Sequence, residues 1–101
     1  MPNAEDDPNR DLVEKTKSQY VTFLKTELET GLTFAHVALQ NLASGEKAHA
    51  AEDVHNGRTA YKTVLKYLHS TEMGESDRKW IDEKLRELRA AIDLAESHGA
   101  I

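Results

Sequence analysis

Residues 20–45 read YVTFLKTELETGLTFAHVALQNLASG, and the period of this stretch decides the fold. Tyr20, Val21, Leu24, Leu28, Gly31, Leu32, Ala35, Ala38, Leu39 and Leu42 recur at steps of three and four. At about 100° per residue they gather on one broad arc of an α-helix. Ser44 and Gly45 close the run, and upstream Asp7 followed by Pro8 reads as an N-cap and first helical residue, since proline there forfeits no useful hydrogen bond. The first helix is therefore expected from Pro8 to about Ala43. Residues 1–6 are polar and acidic, which predicts a flexible tail ahead of a single domain spanning 7–101.

Downstream, Ser44 and Gly45 supply both the stop and a new N-cap, and Glu46 suits the positive end of the next helix. The second helix is expected to run to about Glu72 with Ala50, Ala51, Val54, Gly57, Tyr61, Val64, Leu65 and Leu68 on its apolar side. Gly74 is expected in a left-handed cap, with Ser76 and Asp77 opening a third helix that ends near Ser97 and Gly99. Ile81, Leu85, Leu88, Ile92 and Ala95 form its stripe. Nothing reads as a strand, and the short turns predict an all-α domain of three long antiparallel helices, an up-down-up bundle or helical layer. Gly31 and Gly57 lie on the core stripes at matching heights, where each costs about 1 kcal/mol relative to alanine, so a close backbone approach is expected; a kink at Gly31 is the competing reading.

Composition excludes several function classes. The chain has 101 residues, a net charge of −5 and no cysteine. Thiolate catalysis, disulfides and sulfur-ligated metals are ruled out. Arg78, Lys79, Lys84, Arg86 and Arg89 alternate with Asp77, Asp82, Glu83, Glu87 and Asp93, the pattern of a solvated helix rather than of a nucleic-acid footprint. No apolar run approaches the ~18 residues of a membrane span, so a cytoplasmic location is expected.

Candidate chemistry is sparse. Glu52-x-x-His55 has the spacing of one ligand pair in a carboxylate-bridged di-metal bundle, but both positions fall on the polar side of the second helix with Thr59, Lys62 and Lys66. His49 and Asp53, spaced i and i+4 with Asn56 in the same row, could form an acid–base pair, but no nucleophile accompanies them. In carrying a mid-helix His36 on a small helical domain, the chain resembles histidine-phosphotransfer domains. That resemblance implies a phosphoryl-accepting His36 with a lysine three residues later and a glycine four later, where this chain has Leu39 and Gln40. The hairpin around Ser44-Gly45, with Ala48, Ala51 and Ala60 after it, resembles one tetratricopeptide repeat. The unit does not recur along the chain, so the resemblance implies an interaction role without a peptide groove.

Two features exceed what a closed monomer needs. A first helix of about 36 residues is about 54 Å long, against about 40 Å and 33 Å for the others, so its first turns overhang and leave Leu12 and Val13 without cover. Phe23, Phe34 and Val37 widen its apolar arc, while Trp80, Ala91 and Leu94 form a second stripe on the third helix. Trp80, near a helix start, either seals the bundle end or meets another chain. The expectation is a non-enzymatic interaction or assembly module without cofactor, forming a homodimer through Phe23, Phe34, Val37, Trp80 and Leu94. The alternative is a metal- or phosphoryl-handling protein using Glu52 and His55 or His36.

Overall fold

A computed structural model describes residues 8–99, with side chains from residue 15 onward. Three helices account for nearly all of it: α1 (Pro8–Ala43), α2 (Lys47–Leu68) and α3 (Glu75–Ser97). No described residue lies in a strand. The expected tail over residues 1–6, the Asp7 cap and the side chains of Leu12 and Val13 fall outside the described residues.

The α1–α2 turn shows why Gly45 ends the first helix. Gly45 adopts φ +79°, open to glycine at little cost. Its N–H donates to the Leu42 carbonyl at 3.1 Å, and the Glu46 N–H reaches back to the Asn41 carbonyl at 2.8 Å. This pair of bonds satisfies carbonyls that a helix end otherwise leaves open. Ser44 is spent inside that closure, so the N-cap of α2 is Glu46 rather than Ser44 or Gly45, and it makes no side-chain capping bond.

The second turn departs from expectation in a way that matters later. α2 stops at Leu68, four residues before Glu72. Ser70 Oγ and Thr71 Oγ1 both donate to the Tyr67 carbonyl, at 3.2 and 2.7 Å, and such hydroxyls compete with helix continuation. Gly74 is extended (φ −71°, ψ 165°) rather than left-handed, because it serves as the N-cap of α3: its carbonyl accepts the first helical bond, from the Arg78 N–H at 3.0 Å. The helix consequently opens at Glu75, ahead of Ser76 and Asp77. Its end is as expected, with Gly99 at φ +96°.

Cross-helix contacts fix the directions. Falling numbers on α1 meet rising numbers on α2 through Asn41–Asp53, Gly31–Ala60, Phe23–Tyr67 and Lys17–Glu72. α3 rises together with α1, through Lys25–Asp77 and Gly31–Leu88, and runs against α2, where Gly57 meets Ile92 and Tyr61 meets Arg89. The buried set is Leu24, Leu28, Ala35 and Ala38 of α1, Ala50, Val54, Ala60, Val64 and Leu68 of α2, and the five α3 stripe residues. Tyr20 and Leu65, expected in the core, are instead 55% and 39% exposed. Tyr20 lies level with Ser70, where α2 has already ended. Leu65 faces a groove whose α3 side carries Arg89 and Asp93.

At the centre, helices α1 and α2 nearly touch. α1 runs unbroken through Gly31, so the glycine serves approach and not a break in the helix. A Cβ added at Gly31 would lie 2.9 Å from both Ala60 Cβ and Leu88 Cδ2, whereas one at Gly57 would meet only the Gly31 carbonyl oxygen at 3.4 Å and looser neighbours. The two glycines therefore differ in kind. Gly31→Ala gains helix propensity but overpacks a rigid neighbour, and is expected to destabilise the fold by about 1–2 kcal/mol. Gly57→Ala keeps the propensity gain and is expected to be neutral or stabilising by up to about 1 kcal/mol. Urea denaturation of the two variants checks this; equal effects would contradict the asymmetry.

Candidate interaction surface

α2 and α3 cover adjacent sides of α1, and the flank beyond α2 is left open. At its N-terminal end Tyr20, Phe23 and Tyr67 line, with Thr16 and Gln19, a hollow of about 530 Å³. The Phe23 and Tyr67 rings meet edge to face, centroids 6.3 Å apart and planes at 77°, so each presents one side to the other and keeps area for a further contact. Phe23 is still 42% exposed. Lys66 Nζ stands 5.3 Å from the Tyr67 ring centroid at the rim. The hollow exists because α2 ends at Leu68, so no helical turn caps Tyr20.

Along the same flank, three turns further, lie Phe34 and Val37, both half-buried, with exposed Thr30 and Thr33 beside them. Between Glu29 and Glu46 the chain contains no Asp, Glu, Lys or Arg. In a chain with 31% charged residues this gives α1 a solvent-facing half without formal charge. The Thr33 hydroxyl is turned inward, its Oγ1 donating to the Glu29 carbonyl at 3.0 Å, and on α2 Thr59 and Thr63 donate to the carbonyls of His55 and Thr59 at 3.0 and 2.9 Å. Covering such a face leaves these donors paired. Depletion of charge with aromatic enrichment is the composition of interface centres.

Of the five residues expected at an interface, the structure gathers Phe23, Phe34 and Val37 on this flank. Trp80 lies on the other side, half-buried against the core, with Lys25 Nζ at 5.5 Å and Lys84 Nζ at 5.7 Å from its ring centroid. Lys25 is two residues from Phe23, roughly 200° around the helix. Leu94, 49% exposed, sits on the solvent side of α3. Tyr20 and Tyr67 join the surface in their place. The Ser70-Thr71 pair and the uncharged run after Glu29 were the signals for them.

The sites considered for chemistry remain scattered. Glu52 and His55 are exposed on α2, and among the described residues no three His, Cys, Asp or Glu side chains are grouped to hold a metal ion. His36 is exposed, Leu39 after it packs against the core, and Gln40 is exposed. The His49–Asp53 pair that the spacing would allow gives way to other partners. Asp53 accepts a hydrogen bond from Asn41 Nδ2 at 2.7 Å across the helix pair, and His49 Nδ1 lies 3.9 Å from Glu46. Asn41 wins because it approaches from the facing helix, where the bond also ties α1 to α2.

Ion pairs fill the other grooves. A cleft of about 500 Å³ under the α2–α3 turn holds Lys17 against Glu72 at 2.5 Å and Lys25 against Asp77 at 2.6 Å. Between α2 and α3, a groove of about 350 Å³ holds Arg58 against Glu96, and Arg89 against the Tyr61 ring and Asp93. The hydrogen bond with Tyr61, and then the charge of Asp93, hold the Arg89 guanidinium above its ordinary pKa. In both grooves cations face carboxylates. Among the described residues, no helix is long and apolar enough to cross a membrane. Comparison with known family models, curated proteins and solved structures finds no match to the chain.

Glu72 supplies a test of the turn's anchoring. The hydrogen bond from Lys17, followed by its charge, holds the carboxyl below its ordinary value of 4.5. A depressed carboxyl pKa stabilises the fold above the unfolded-state value and loses that contribution as pH falls through the folded value. NMR titration should place the Glu72 midpoint below 4.5, and Lys17→Ala should restore it. An unchanged midpoint in the variant would mean that Lys17 is not the anchor.

Proposed function

We propose that this chain is a small assembly module that self-associates through the open flank of α1, with no catalytic role. The observation that carries it is the uncharged half of a solvent-facing helix between Glu29 and Glu46, continuous with the exposed Tyr20, Phe23 and Tyr67. Solvated helix faces hold charge, as the outer side of α3 does with Arg78–Asp82 and Arg89–Asp93 pairs spaced i and i+4. A helix face free of charge, rimmed by aromatic rings, gains by leaving water. Self-association fits the charge balance as well. A chain of net charge −5 repels its copies, and the stretch between Glu29 and Glu46 adds no formal charge to that repulsion.

Light scattering during size-exclusion chromatography, run over a range of concentrations, is expected to give a mass near twice 11.3 kDa. A monomer at every concentration would overturn the proposal. Phe23→Glu, at an exposed position, is expected to weaken the dimer by at least about 30-fold, the ~2 kcal/mol of an interface hot spot. Phe34→Glu should act in the same direction. Helicity by circular dichroism should persist in both, since Leu24, Leu28, Ala35 and Ala38 still build the core.

A further inference from the structure

Resting on that self-association, the geometry points to a defined arrangement: an antiparallel dimer in which α1 of each protomer lies along α1 of its partner, with the two-fold axis beside Thr30. The first observation is spacing. Tyr20, Phe23, Glu27, Thr30, Phe34 and Val37 follow one another at alternating steps of three and four. One residue further on, the seam of Val21, Leu24, Leu28, Gly31, Ala35 and Ala38 repeats the same steps and packs inward. A helix that presents such a seam meets another helix at a shallow angle. α1 thus carries two adjacent seams, of which the bundle uses one.

Charge decides the direction. Every Lys and Glu of α1 with a described side chain falls at or before Glu29. A parallel pair would set Glu27 against its own copy inside the seam, with both helix dipoles aligned. An antiparallel pair lays the charged half of each helix over the uncharged half of the other and opposes the dipoles. With the axis beside Thr30, Phe23 comes opposite the partner's Val37, Glu27 opposite the partner's Thr33 and Tyr20 opposite the partner's Gln40. The aromatic end of one flank is covered by the uncharged end of the other.

The link between Lys17 and Glu72 marks where the other helices run out, so α1 extends past them by about two and a half turns. With the axis beside Thr30, residues 17–43 of the two α1 helices overlap over about 40 Å, and a face roughly 10 Å wide buries roughly 400 Å² per protomer. Two such faces bury about 800 Å², the size of a weak or transient interface.

Engineered cysteines read the register directly, because the chain has none of its own. A disulfide needs Cα atoms within about 7 Å. In the antiparallel dimer only positions beside the axis meet their own copies at that distance. Thr30→Cys and Gln40→Cys both fall at exposed positions, and circular dichroism confirms that each variant is folded. After mild oxidation, Thr30→Cys is expected to appear mostly as a covalent dimer on non-reducing gels and Gln40→Cys at under about one tenth of that yield. Light scattering of the reduced variants separates the possible failures. A monomeric mass sinks self-association and the arrangement together. A dimeric mass with equal cross-linking at both positions shows a parallel pair, and a dimeric mass with no cross-link at Thr30 shows a different register or face; either overturns this inference and leaves self-association standing.

Discussion

The close approach of α1 and α2 at Gly31 is the constraint on which the rest of the molecule depends. With no side chain there, Ala60 and Leu88 occupy the space that a Cβ would need. Gly57 lies against the Gly31 carbonyl from the other side. The contact brings two long helices close enough for small residues, Ala35, Ala38 and Ala50, to fill the space between them, so that Leu88 and Ile92 of α3 can seat across both. Dispersion contacts at this density are individually small and collectively large, which is why one glycine can set the geometry of three helices.

A tight seam on one side of α1 has a consequence on the other. The helix is wide in apolar residues, and a pair of partners pressed close over Gly31 covers the arc from Leu24 to Ala38 but not the flank of Phe23, Phe34 and Val37. The early stop of α2 widens the gap by removing the turn that would have covered Tyr20. What holds the α2–α3 connection in place is electrostatic, the Lys17–Glu72 and Lys25–Asp77 pairs, so the bundle end is pinned without burying that flank. Surface ion pairs contribute little to stability, and their value here is to fix where the chain turns.

Much of the fold was legible in the sequence because helices declare themselves locally. The three-and-four spacing from Tyr20 to Leu42, the stop at Ser44-Gly45 and the end at Gly99 are local signals, and the facing glycines followed from counting back along two helices that meet at one turn. The exceptions had local causes that a periodic pattern does not carry. Ser70 and Thr71 bonded to the Tyr67 carbonyl and ended α2 while its period still continued, and Gly74 acted as a cap at the start of α3 instead of at the end of α2. The candidate surface was half legible. Phe23, Phe34 and Val37 stood out as excess apolar width, but Tyr20 read as core and Trp80 fitted either a bundle end or an interface, because the wheel gives an angle and not the position at which a neighbouring helix ends.

By itself, the sequence determined three helices, their apolar faces and the absence of thiol chemistry, since backbone hydrogen bonding, side-chain period and residue identity are properties of neighbours along the chain. Only the tertiary structure decided which apolar residues remain wet, which ion pairs close the grooves, and that Asp53 bonds to Asn41 rather than to His49. Those outcomes depend on what another helix places within a few ångströms. That distance is set at Gly31, where the packing of three helices, and not any one stretch of chain, fixes the geometry.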